Sequence, residues 1–299
     1  MSIIIKYVSL KSSNMFQQTV NKKWKTSQFL IIWLLIFLLP LLIINCKGLK
    51  ESNKSVAEIE EIPTIAIYSD KGTWEDSVKA TKKMFQWMGY ESKLINADSI
   101  NKKELDNFKI LCIPGGDMYQ YAQDISSKGK NHIRNFIRNG GGYLGICGGA
   151  YFASEEVIWQ GQKLPMKPLG LFSGTAEGPI DEIVNYPDYT MCKVNIMDSI
   201  HPVTISEPDS ISVLYYWGPM LIPNKDTDIT ILGRYDKGNQ PTMLIFEYGE
   251  GRVFLIGTHP EIEENSDRDG VNFGNELDDK GSDWDLMNKA TLWCLKENL

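Results

Sequence analysis

Apolar and polar positions fall into short alternating blocks. TIAIYSD (64–70) is an apolar run ending in turn residues, and Trp74 to Met88 places Val78, Met84, Phe85 and Met88 at helical spacing, so strand then helix is predicted. SKLINA (92–97) and KILCIP (109–114) are further strands, separated by a polar helical stretch, NKKELDNF. HIRNFIR (132–138) predicts a helix closed by Gly140 to Gly142, and YLGIC (143–147) another strand. Strands alternating with helices predict a mainly parallel sheet covered on both faces. After Leu169 the pattern changes to strands with turns: TMCKVNI, SVLYYWG, DITILGRYD and PTMLIFEYGEGRVFLIGTHPE, the last with a hairpin at Tyr248 to Gly251. A closing helix over 283–299 turns Trp284, Met287, Leu292 and Leu295 toward the core.

One block breaks this rhythm. Phe29 to Ile44 carries no charged or polar residue and follows Lys22, Lys23 and Lys25. It is apolar on every face, near the amino terminus, and a polar stretch follows, which predicts a targeting signal or membrane anchor rather than a core helix. The segment Ile43-Ile44-Asn45-Cys46 resembles the lipobox of bacterial lipoproteins, with Asn45 where that pattern holds a small residue; Cys46 would then be lipidated, the alternative being an uncleaved anchor. The preceding lysines favour a cytoplasmic amino terminus, so the rest of the chain is expected on the extracytoplasmic side, membrane-attached. The expected division is residues 1–46 as signal or anchor, 47–62 as a polar flexible linker, and 63–299 as one domain.

The chain of 299 residues is 42% hydrophobic and 11% aromatic, enough for a sizeable core. Removing residues 1–45 leaves 26 basic against 38 acidic residues, a formal charge of −12. No basic stripe is present to neutralise phosphates, so no nucleic-acid partner is expected. The five cysteines, at 46, 112, 147, 192 and 294, show no CxxC spacing and no histidine cluster, so no metal site is read, and no cofactor is called for.

Candidate chemistry sits at three strand ends. Cys147 lies in GGGYLGICGGAYFAS between Gly145 and the Gly148-Gly149 pair, where glycines permit a sharp strand-to-helix turn that exposes the thiol. A helix amino terminus there would favour the thiolate. The segment Gly257-Thr258-His259-Pro260-Glu261 places a histidine at the end of a core strand with an acid two residues on, a base and its orienting carboxylate. The bare amides of Gly115 and Gly116, in Pro114-Gly115-Gly116-Asp117, together with that of Gly148, are candidate oxyanion donors. Tyr151 and Trp217 are candidate pocket walls.

In this order the PGG turn, the G-x-C-x-G elbow and the H-P-E segment resemble the class I glutamine amidotransferase superfamily, and within it the amino-terminal domain of biotin-protein ligases, over Pro63 to Leu299. The resemblance implies a three-layer α/β/α sandwich of flavodoxin-like kind, with antiparallel strands added toward the carboxyl end. It implies Cys147 as nucleophile, His259 as general base and Glu261 as its partner. Tyr151 stands where glutaminases carry glutamine, and no GRGRxG adenylate loop is present, so neither glutamine hydrolysis nor biotin attachment is expected. Two functions follow: a cysteine-dependent amide hydrolase or acyl transferase, or a catalytically silent module binding a small molecule, peptide or protein.

Overall fold

In the computed structural model, residues 64–263, 266–277 and 283–297 are described. The expectations for residues 1–63, Cys46 and the apolar run among them, lie outside these residues. Among the described residues no helix is long and apolar enough to cross a membrane.

The chain alternates strand and helix through its first half: β1 (Ile65–Tyr68), α1 (Glu75–Trp87), β2 (Ser92–Ile95), α2 (Ala97–Asn101), a 3-10 turn (Glu104–Asn107), β3 (Ile110–Ile113), α3 (Met118–Asp124), α4 (Ser127–Arg138), β4 (Gly142–Ile146) and α5 (Gly148–Ala153). Strands then dominate: β5 (Ser154–Trp159), β6 (Gln162–Lys163), β7 (Phe172–Gly178), β8 (Thr190–Ile196), β9 (Ser210–Tyr215), β10 (Met220–Pro223), β11 (Thr230–Tyr235), β12 (Pro241–Tyr248) and β13 (Gly251–Ile256). Helix α6 (Trp284–Leu295) follows.

Nine strands form the central sheet in the order β2-β1-β3-β4-β13-β12-β11-β8-β9. Strands β2, β1, β3, β4 and β13 run parallel, whereas β12, β11, β8 and β9 are joined antiparallel. The β12–β13 hairpin closes at Tyr248 opposite Gly251, as its sequence predicts. A second sheet, β10-β7-β5-β6, is an addition the sequence does not announce.

Continuous apolar runs in the parallel strands reflect burial on both faces. On one face Ala66, Tyr68, Leu111, Ile113 and Tyr143 pack with Met118 and Tyr121 of α3, Ile133, Phe136 and Ile137 of α4, and α5. On the other, Ile65, Ile67, Ile110, Cys112, Leu144 and Ile146 meet Val78, Met84 and Phe85 of α1 and Trp284, Met287, Trp293 and Cys294 of α6. Fully burying one such aliphatic side chain is worth about 1.5–3 kcal/mol. Leu292 and Leu295 are only half-buried, because α6 turns Ala290, Thr291, Trp293 and Cys294 inward instead. Helix α1 begins with Glu75 and Asp76, which complement its dipole, and α4 is capped by the Ser126 hydroxyl accepting from the Gly129 N–H, a full turn before its apolar stripe begins.

Parallel register sets the functional edge. Ile113 lies opposite Gly145 and Ile146 opposite Ile256, so the carboxyl ends of β3, β4 and β13 finish side by side.

Candidate active site

Cys147 follows β4 directly and caps α5, with φ +46° and ψ −101°. A non-glycine residue in this left-handed region stores about 1–3 kcal/mol, held here by the Cys147 N–H bond to the Ile256 carbonyl at 2.9 Å. The flanking glycines are required by close approach. A Cβ on Gly148 would lie 2.3 Å from the Gly116 carbonyl oxygen, and one on Gly149 1.9 Å from that of Ile113.

His259 sits just past β13, its N–H bonded to the Leu214 carbonyl at 2.9 Å, and its ring is buried. Nδ1 is 2.9 Å from Glu261 Oε1. Nε2 lies 3.3 Å from the Tyr216 carbonyl oxygen, which Cys147 Sγ also approaches at 3.6 Å, so ring and thiol meet at one carbonyl. Burial pulls the imidazole pKa down. Electrostatic attraction to Cys147 and Glu261, with the Glu261 hydrogen bond, outweighs it and holds the pKa well above the usual histidine value. The structure therefore brings Cys147, His259 and Glu261 together as one chain of contacts.

A fourth member was not singled out by sequence. Ser77, fully buried in the first turn of α1, donates to Glu261 Oε1 at 2.5 Å and accepts from the Gly115 N–H at 2.9 Å. Trp284 Nε1 donates to the Glu261 carbonyl at 3.1 Å. Glu261 is thus fixed from two helices, although its Oε2 has no partner among the described residues. The signal in sequence was a hydroxyl placed four residues before Thr81 and eight before Phe85, on the buried stripe of α1, where a polar group needs a partner.

The Gly115 expectation is corrected by this geometry. Its N–H is engaged by Ser77 and is not a free oxyanion donor. Its role in packing is to leave room for the imidazole: a Cβ there would lie 2.5 Å from His259 Cε1. Gly116 instead faces the cavity beside Cys147, held by the Trp74 N–H bond to Gly115 O and the Asp117 N–H bond to Gly72 O. Among the described residues, the amides of Gly116 and Gly148 have no internal acceptor.

Above the thiol is a cavity of about 540 Å³ whose lining includes Cys147, His259, Tyr151 and Trp217. Tyr151 is fully buried and its hydroxyl donates to the Trp217 carbonyl at 3.0 Å, and burial pushes its pKa well up, so it stays a donor. Trp217 adopts φ +60°, and its buried indole N–H has no partner among the described residues. Tyr151 therefore supports the wall that Trp217 forms. Cys112, Cys192 and Cys294 are buried, with burial raising the thiol pKa values of Cys112 and Cys294. Among the described residues no cluster of His, Cys, Asp and Glu could hold a metal ion.

Comparison with known proteins places this arrangement. The family described as "Biotin-protein ligase, N terminal" matches residues 63–292. A biotin–protein ligase of Schizosaccharomyces pombe is 24% identical over 190 residues, covering 58% of this chain and 29% of that protein. An uncharacterized protein of Chlamydia muridarum is 32% identical over 125 residues, covering 38% of this chain and 48% of that one. The chain spans less than half the length of either relative. Among solved structures, a thua-like protein from Parabacteroides merdae superposes with a TM-score of 0.51 at 13% identity, covering 80% of this chain and 91% of that chain. Likeness at that identity shows a shared fold, an α/β sandwich with a mainly parallel central sheet and added antiparallel strands.

Proposed function

The chain belongs to the biotin-protein ligase N-terminal family, and from that premise we propose that it is a cysteine-dependent amide hydrolase or acyl transferase, attached to a membrane through its first 46 residues and working on the extracytoplasmic side. The observation that carries the chemistry is the contact chain Cys147–His259–Glu261 at the floor of a cavity, with the cysteine on a positive-φ elbow.

His259 holds its proton to well above the usual range, so the ring beside Cys147 is imidazolium at neutral pH. Sγ attacks the carbonyl carbon of the substrate, forming a C–S bond while the carbonyl electron pair moves to oxygen. The Gly116 and Gly148 amides are the donors for that oxyanion. Collapse breaks the C–N bond, and His259 gives its proton to the departing nitrogen. Water or an acceptor nucleophile then attacks the thioester, His259 takes its proton, and the thiolate leaves. Glu261 holds the ring in one orientation and balances its charge. Ligation of biotin is not part of this reading; that activity belongs to the name of a protein of which this chain matches 29%.

Alkylation of Cys147 by iodoacetamide, followed by peptide mass spectrometry across pH, tests the chemistry. Fast labelling near neutral pH that slows in His259→Ala is expected. Labelling only after denaturation would overturn the reading and leave a silent binding module. Attachment is tested separately, by fractionating cells and following labelled lipid: Cys46→Ala should abolish the lipid label, an uncleaved anchor should keep residues 1–45 in the membrane fraction, and recovery of wild type in the cytosol would overturn attachment.

A further inference from the structure

The cavity wall is unusually uniform in kind. From the His259 side outward, the rings of Trp74, Tyr216, Trp217, Tyr186 and Trp159 follow one another with centroid spacings of 5.2, 4.2, 4.7 and 6.1 Å. These residues come from the segment before α1, the turn after β9, the loop between β7 and β8, and β5, and all five line the cavity. Among the described residues no lysine or arginine does so. Asp117 supplies a carboxylate at the exposed rim, one of its oxygens accepting from the Tyr119 and Gln120 amides. Among the described residues of the lining the one cationic group, the His259 ring, is already matched by Glu261.

Aromatic faces attract cations through their quadrupole, and a carboxylate at the mouth adds to the same sign of field. An anionic group seated on this row of rings would lose its water against ring faces that repel it, with no lysine or arginine of the described lining to replace that water. We propose that the cavity selects a substrate whose acyl portion carries a cationic group, an amine or quaternary ammonium, seated on the aromatic row while its carbonyl lies over Cys147. This rests on the hydrolase or transferase reading for its reacting bond, but the charge selection is a property of the wall.

The test uses the full chain and three thiol reagents, the comparably sized 2-(trimethylammonium)ethyl and 2-sulfonatoethyl methanethiosulfonates and the smaller neutral methyl methanethiosulfonate. Their rates at Cys147 are read from its peptide by mass spectrometry and divided by the rates with glutathione, which removes intrinsic reactivity. The normalised cation-to-anion ratio is expected at about tenfold, between the sizes of an exposed and a desolvated cation–aromatic contact. Asp117→Asn, which keeps a helix-capping side chain, should lower the ratio and flatten its salt dependence. Trp217→Leu should lower the cation rate relative to the neutral one. A ratio at or below one, or a ratio untouched by both substitutions, overturns the proposal. So does failure of all three reagents to reach Cys147 in folded protein. The neutral reagent separates the two readings: if its rate ignores His259→Ala while the ratio persists, the catalytic reading fails and cation selection stands; if its rate falls but the ratio is one, the reverse holds.

Discussion

Ser77→Ala is the most discriminating perturbation of the site, because Ser77 touches neither the cysteine nor the cavity. Its hydroxyl ties the Gly115 turn to Glu261, one acceptor bond and one donor bond to a buried carboxylate. A hydrogen bond to a charged group contributes about 1.5–3 kcal/mol, and the alanine also leaves the Gly115 N–H without its partner. A loss of about 2–3 kcal/mol in urea unfolding is therefore expected. The functional consequence is indirect: with Glu261 less firmly held, His259 is less well oriented and less strongly protonated. Alkylation of Cys147 near neutral pH should slow by about tenfold, roughly 1.4 kcal/mol, and the alkaline limb of its pH profile should move to lower pH. Thr81→Val is the control, since Thr81 is equally buried one turn along α1 and its hydroxyl has no partner among the described residues. It should leave alkylation and its pH profile unchanged. Equal effects of the two substitutions on the pH profile, or none from Ser77→Ala, would refute a positioning role.

Two further perturbations probe the same contacts. Gly115→Ala puts a methyl group 2.5 Å from His259 Cε1, so overpacking of about 1–3 kcal/mol should appear together with at least roughly tenfold slower alkylation; a wild-type rate would show that the ring position does not matter. The raised His259 pKa also predicts a pH dependence of stability. In the unfolded chain the ring loses its proton near pH 6.5, whereas the folded protein holds it to higher pH. The stabilisation is full below about 6.5 and is lost as pH rises through the folded value, with a limiting slope of about 1.4 kcal/mol per pH unit. Urea unfolding free energies from pH 6 to 9 should fall more steeply for wild type than for His259→Gln, and parallel curves would contradict the assigned protonation.

What the sequence discloses of the fold follows from burial. Strands β1, β3, β4 and β13 read clearly because both faces are covered, so apart from Arg252 at the start of β13 their side chains are apolar and the runs are short and bounded by turns. The second sheet escaped because its strands carry little of that signal. Strand β7 reads FSGTAEG, its alternation of buried and half-buried positions made with Gly, Ala and Thr, and β5 opens SEE before its apolar residues. A period of two written in small residues is indistinguishable from a loop until a partner strand is known. The first turn of α4, SKGK, failed for a related reason: its capping serine carries the helix start, and the apolar stripe begins only later.

The site divides along the same line. Cys147, His259 and Glu261 were legible because each lies in a motif at the carboxyl end of a buried strand, and parallel register forces such ends onto one edge. Nothing comparable announces the aromatic row. Trp159, Tyr186 and Trp217 belong to a strand of the second sheet and to loops, and only Trp217, in YYWGP, stood out against the core aromatics around it. Gly115 shows the converse limit: a bare amide at a strand end looks like an oxyanion donor, yet whether it is free depends on a hydroxyl 38 residues away. Sequence motifs thus identify the reacting atoms, which are local to strand ends. What orients those atoms and what selects the substrate are assembled from distant segments by the fold. Reactivity at Cys147 and charge selection in its cavity are accordingly separable properties, and substitutions at Ser77 and Asp117 should move one without the other.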